Sequence, residues 1–296
     1  MPKIYDCFCY FNEDMILELR FETLWDYVDY FIISEANYTH AGAPRELLFN
    51  LEKFAKYKKK IRYLPLIERP PGKNEPWKNE NFIRNNVAKG LYDALPDDWI
   101  LISDIDEIPR PKKIKEYNPK RLRAQFMQGY YNFFFNNFWL GCVNEKGRLK
   151  RNSNRWYGST ITTFARFSSF FESNATYCRS WSYKPTGLFP FLKKEWFKHF
   201  KRQVIRDGGW HFSSIFDISG IVLKTEVTAH QEFNTPEYKD PQNIQMLILQ
   251  GRDFRVPSRR FQAHEVCQPE FPAYLVEHME KYEKFLLPAA KNFVEK

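Results

Sequence analysis

Two short apolar runs, YFIIS at residues 30–34 and WILIS at residues 99–103, limit what this chain can fold into. Both are nearly continuous in hydrophobicity, the pattern of a strand buried on both faces. Helices must then cover the sheet, and the intervening sequence provides them. EDMILELRFETLWDYV sets Leu17, Phe21, Leu24, Trp25 and Val28 at helical spacing, and NENFIRNNVAKGLYDAL sets Ile83, Val87, Leu91 and Leu95 on one helix face. With KIYDCFCYF and KKIRYLPLIE as two more strands, the first 110 residues run β-α-β, a loop, then β-α-β. That order predicts a Rossmann-like sheet of mostly parallel strands flanked by helices. Ligands of such sheets bind beyond the carboxyl ends of the strands. Glu35 and Asp104, the acids at the ends of the two runs, are therefore expected on the ligand side.

The second half is less regular. AQFMQGYYNFFFNNFWL and STITTFARF read as strands of an antiparallel extension. GGWHFSSIFDISGIVLKTEVTAHQEFN mixes strand and turn signals, and AYLVEHMEKYEKFLLPAAKNF reads as a closing helix. No repeat or low-complexity linker interrupts the 296 residues. The expected organisation is a single domain, α/β, with one half over about residues 1–110 and the other over about residues 111–296.

Charge and cysteine content narrow the function classes. The net charge of +9 is concentrated at residues 53–73, 112–123, 146–155 and 193–206. Such clusters suit an anionic partner, a phosphorylated substrate or a membrane surface, or are simply solvated. No nucleic-acid-binding motif accompanies them. Steeply salt-dependent DNA binding would be the mark of a basic nucleic-acid or membrane-binding protein, the non-enzymatic alternative. The five cysteines are odd in number and include no C-x-x-C pair, which points to reduced thiols rather than a disulfide framework or zinc site. The sequence shows neither a signal peptide nor a span of membrane length, and a cytoplasmic location is expected.

The run WILIS leads into Asp104, Asp106 and Glu107, followed by Pro109 and Pro111. A D-x-D match carries little by itself, since 13 aspartates in 296 residues give about 0.6 matches by chance. Its position directly after a buried strand gives it weight. In an extended chain Asp104 and Asp106 point to one side. Their carboxylates can then share a divalent ion, and hard oxygen ligands with open positions suit Mg²⁺ or Mn²⁺. The other reading is a solvated acidic turn, in which three acids repel with only Arg110 close in sequence to balance them. Paired aspartates also serve phosphoryl-transfer enzymes, but no glycine-rich phosphate loop is present.

The segments KIYDCFCYFNEDMILELR, VDYFIISEANYTHAGAPREL, ENFIRNNVAKGL, WILISDIDEIPRP and GGWHFS…KTEVTAHQEFN resemble, in order, the successive blocks of glycosyltransferase family 17. They span roughly residues 3 to 235. The resemblance implies a GT-A type glycosyltransferase fold and metal-dependent, inverting transfer of N-acetylglucosamine from UDP-GlcNAc to a glycan acceptor. A related transferase using another nucleotide sugar is the alternative. The chain departs from the family where Ile83 stands in place of an expected Gln, and in residues 112–156, which do not align.

On this resemblance Asp104 and Asp106 bind metal and donor diphosphate, with Glu107 in support. Glu35 meets the nucleoside or caps a turn. Arg84 binds phosphate or a base edge, or pairs with Glu80 one helical turn away. His211 completes the metal shell, with His230 as the second candidate, and the glycines before Trp210 let backbone approach a ligand. Trp210 stacks on a sugar or lies in the core. An inverting transfer needs one base, for which Asp207 is the first candidate and Glu232 the second.

Overall fold

The computed structural model describes residues 1–150, 156–180 and 202–288. Two of the basic clusters, at residues 146–155 and 193–206, and the end of the expected closing helix lie partly outside the described residues.

The four expected strands form: β1 (Ile4–Cys9), β2 (Tyr30–Ala36), β3 (Ile61–Leu66) and β4 (Trp99–Ile102). All pair in parallel, in the order β3-β2-β1-β4. Alternate residues feed cores on opposite faces, as strands buried on both sides require. Phe31, Ile33 and Leu101 join one cluster with Leu17 and Phe21 of helix α1 (Asp14–Leu24), while Ile32, Ile100 and Ile102 join another with Val87 and Leu91. Helix α2 (Pro76–Asn85) is shorter than its periodicity suggests and tightens into a 3₁₀ turn over Asn86–Leu91. That turn presses on the sheet, since a Cβ on Gly90 would lie 2.4 Å from Ile32 Cγ2. Beyond it the helical face ends and Leu95 is exposed.

Because β2 and β3 lie to one side of β1 and β4 to the other, the chain changes direction between β1 and β4. The crevice at such a switch point is where ligands of open α/β sheets bind.

A mixed half extends the sheet past β4, chiefly antiparallel as expected but with two of its strands paired parallel to a third. After β5 (Glu107–Pro109), β6 (Arg123–Asn132) and β7 (Asn137–Val143) are joined by β8 (Leu149–Lys150), β9 (Trp156–Thr163), β10 (Arg202–Ile205), β11 (Gly209–Ser213) and β12 (Arg259–Ala263). The path from β4 runs through β9, β6 and β7 to β12, each pairing antiparallel. Two expectations differ here. The sequence FARF is helical, within Phe164–Ser169, and DISGIVLKTEV holds a helix over Ile218–Val227. The latter is capped by Asp217, whose side chain accepts from Gly220 N–H. No disulfide joins the cysteines, and no described helix is long and apolar enough to cross a membrane.

Candidate functional site

The loop after β4 is fixed from beneath by Arg20 of α1. Its side chain is fully buried against the equally buried Asp6 of β1, Nη2 to Oδ1 at 2.5 Å and Nε to Oδ2 at 2.7 Å. Nη2 also donates to Ser103 Oγ at 2.6 Å, and Nη1 donates to the carbonyls of Asp104, Ile105 and Glu107 at 3.3, 3.0 and 2.9 Å. One guanidinium thus holds the loop backbone at Asp104, Ile105 and Glu107, as its planar array of donors permits, while the Asp106 carbonyl accepts from Phe212 N–H at 2.8 Å.

Glu107, wholly buried, acts in support as expected. Its Oε2 accepts Asp104 N–H at 3.1 Å, and its Oε1 accepts Trp156 Nε1 at 2.9 Å and Arg179 at 2.5 Å. The acids open into a cavity of about 480 Å³ between the carboxyl ends of β1 and β4, α2, β11 and the helix Ile218–Val227.

Balance comes from elsewhere than Arg110. Asp104 Oδ1 meets Arg179 at 2.5 Å and Arg84 at 3.0 Å. Burial alone would raise the Asp104 carboxyl, but Arg179 and Arg84 overcome it and hold it well below the usual carboxylate range. Asp106 lies 3.5 Å from His211 Nε2 and 3.5 Å from Lys224 Nζ; burial would raise its carboxyl, but these two neighbours outweigh burial and lower its pKa. His211 packs against the mutually stacked rings of Trp156 and Tyr130, with centroids at 4.5 and 4.9 Å, and among the described residues its buried Nδ1 has no hydrogen-bond partner.

Among the described residues no three His, Cys, Asp or Glu side chains group as a metal cage. Asp104 and Asp106 nevertheless fit a Mg²⁺ or Mn²⁺ site of the open kind, in which one or two carboxylates suffice and phosphate oxygens and waters complete the shell.

The other expected residues divide. Arg84, His211, His230 and Glu232 line the cavity with the two aspartates. Arg84 bridges Glu80, at 2.6 Å, and Asp104, so its helical pairing and its place in the site coexist. Glu232 accepts from His230 Nδ1 at 2.6 Å, and the Trp77 and His230 rings meet in a T-shaped pair with centroids 4.7 Å apart. Three residues lie elsewhere. Glu35 is fully buried, with both oxygens occupied by Arg45, Tyr63 and the backbone N–H groups of Leu48 and Phe49, so it fastens the loop after β2. Asp207 sits on an exposed turn and pairs with Arg110 at 2.9 Å. Trp210 is a core residue: it is 3% exposed, and its Nε1 donates to the Glu270 carbonyl at 2.6 Å. The glycine before it serves the sheet instead of a ligand. Gly209 has φ +127°, and a Cβ there would lie 2.2 Å from the Ile108 carbonyl of β5.

Arg20, Arg179, Lys224 and Trp77 were not anticipated. For Lys224 a signal existed, because Asp217 followed by ISGIVLKTEV, with Ile218, Ile221 and Val222 at helical spacing, marks a helix start. Arg179 carries no local signal, since its acids arrive from across the sheet.

The sequence profile described as glycosyltransferase family 17 matches residues 1–155, just over half of the chain. Over 107 residues the chain is similar to β-1,4-mannosyl-glycoprotein 4-β-N-acetylglucosaminyltransferases, with 34% identity to those of Homo sapiens and Rattus norvegicus and 33% to that of Mus musculus. The match takes in 33% of this chain and 20% of each relative, so the chain corresponds to about a fifth of their length. Among solved structures, HddC from Yersinia pseudotuberculosis superposes with a TM-score of 0.33 and 9% identity over 70% of this chain and 92% of that one, too loosely to carry an argument.

Proposed function

The chain belongs to glycosyltransferase family 17, and from that premise we propose that it transfers N-acetylglucosamine from UDP-GlcNAc to a hydroxyl of a glycan acceptor. In this reading the fold is of GT-A type and the reaction is metal-dependent and inverting. The observation that carries it is the placement of Asp104 and Asp106: both follow a buried parallel strand at the sheet's switch point, and both face one cavity.

A Mn²⁺ or Mg²⁺ ion held by Asp104 and Asp106 would supply a Lewis acid for the departing diphosphate. The chain's own residues do the rest. Arg84 and Lys224 add fixed positive charge beside the two aspartates. Trp77, half exposed at the cavity wall, offers a ring face to a sugar in place of Trp210. Glu232 orients His230 through Nδ1, which leaves Nε2 to receive a proton. In the single displacement the acceptor oxygen bonds to the anomeric carbon as the bond to the diphosphate oxygen breaks. UDP leaves with that electron pair, and the hydroxyl proton passes to the His230–Glu232 pair.

The test is thermal stabilisation and UDP release with Mn²⁺ and a panel of UDP-GlcNAc, UDP-galactose, UDP-glucose and GDP-mannose. A ligand that binds only the native state raises its apparent stability. UDP-GlcNAc is expected to stabilise the protein in Mn²⁺, and Asp104→Ala and Asp106→Ala are expected to abolish the metal-dependent part. Stabilisation by a different UDP-sugar would change the donor, and stabilisation by none would end the reading.

A further inference from the structure

The cations of the cavity differ in how they are balanced. Arg45 pairs with Glu35, Arg84 with Glu80 and Asp104, and Arg259 with Asp253. Lys224 stands 3.5 Å from Asp106. Arg255 also lines the cavity, but among the described residues it forms no ion pair. Among the described residues its guanidinium makes a single hydrogen bond, from Nη2 to Thr225 Oγ1 at 3.1 Å, and lies over the Phe254 ring at 4.8 Å from the centroid. Thr225 is a neutral acceptor whose own hydroxyl donates to the Ile221 carbonyl. The adjacent Asp253 is otherwise engaged: Oδ1 accepts the backbone N–H groups of Arg255 and Val256, and Oδ2 accepts from Arg259. Burial consequently outweighs the pull of Asp253 and lowers the Arg255 pKa. An arginine does not shed its charge in a protein, so a guanidinium desolvated without an anion is costly unless a ligand brings one.

Its location narrows what that ligand is. Thr225, the residue Arg255 grips, follows Lys224 on the helix Ile218–Val227. On the other side, Arg259 donates to Tyr130 Oη at 3.4 Å, and the Tyr130 ring lies 4.9 Å from that of His211, which touches Asp106. Arg255 is thus linked through Thr225 and Tyr130 to the residues around Asp106, whereas Arg84 and Arg179 are neutralised by Asp104.

We propose that Arg255, with Lys224 beside it, forms an oxyanion subsite that receives a phosphate or carboxylate group of a substrate. The inference rests on the reading of this cavity as a nucleotide-sugar transferase site. Two sources share the chemistry: the diphosphate of the donor, and an acidic group on the acceptor sugar.

Calorimetric titration of wild type, Arg255→Gln and Arg255→Lys in Mn²⁺ with UDP, uridine, glucuronate and glucose separates them. Loss of a charge-assisted contact is expected to weaken the anion about tenfold or more in Arg255→Gln, with a smaller loss in Arg255→Lys. Weaker UDP with unchanged uridine assigns the subsite to the donor diphosphate. Unchanged UDP with weaker glucuronate assigns it to an acidic acceptor. Wild-type affinity for both anions in a folded Arg255→Gln protein overturns the proposal, as does failure of wild type to bind either. Should wild type bind glucuronate through Arg255 but neither UDP nor uridine, the subsite stands and the nucleotide-sugar reading fails. If Arg255→Gln does not fold, Arg255→Lys decides, because its ammonium cannot reproduce the guanidinium fork.

Discussion

Replacing Arg20 with Met tests whether one buried guanidinium builds the acid loop. The substitution keeps the bulk of the side chain and removes every donor. It leaves the Asp6 carboxylate, which has no exposed surface, without its partner, and it frees the carbonyls of Asp104, Ile105 and Glu107. Breaking a buried ion pair from one side costs about 3–5 kcal/mol. At ~2–4 °C per kcal/mol for a domain of this size class, the melting temperature should fall on the order of 10 °C. The double variant Asp6→Asn/Arg20→Met removes both charges and should cost much less than the sum of the single changes, because the penalty comes from the stranded partner. Urea or thermal unfolding followed by circular dichroism reads the stability, and UDP titration reads the loop. A loss below about 1 kcal/mol for Arg20→Met, or simple additivity in the double variant, would refute the reasoning.

Acid sensitivity follows from Asp104. Its folded pKa is depressed, so its ion pairs contribute stability above the unfolded carboxyl value of about 3.9 and lose it as pH falls toward the folded value. Asp104→Asn should therefore destabilise the protein at pH 6, with the gap to wild type narrowing toward pH 2; melting curves that stay equally separated would contradict this. His230→Gln should lower kcat roughly 10²–10⁴-fold in a UDP-release assay, the usual contribution of a positioned acid–base group. Asp207→Asn, on its exposed turn beside Arg110, should leave kcat unchanged.

The parts of the fold legible in the sequence were those set by local period. The runs YFIIS and WILIS read as doubly buried strands, and Phe31, Ile32 and Ile33 do alternate between two cores. The helix at Ile218–Val227 was legible too, through Asp217, but the surrounding turn residues masked it. Asp104, Asp106, Arg84, His211 and Glu232, which sit at strand ends or in family blocks, all line the one cavity. Glu35 shared the strand-end position yet faces Arg45 and Tyr63, since the loop after β2 folds back over it. Asp207 and Trp210 adjoin His211 in sequence but not in the cavity: alternate residues of β11 face opposite ways, and the turn before it leads out to solvent.

The sequence by itself determined the parallel half of the sheet and the position of its acids, because hydrophobic period and strand order are written in neighbouring residues. Only the tertiary structure decided which charges meet. Arg20 and Arg179 hold the acid loop while Lys224 and Arg255 line the cavity, and the four come from separate segments; the antiparallel pairing of β11 with β5 brings His211 opposite Glu107. Ion pairing and desolvation act through space over a few ångströms, and no local pattern encodes which distant side chain will fill that distance.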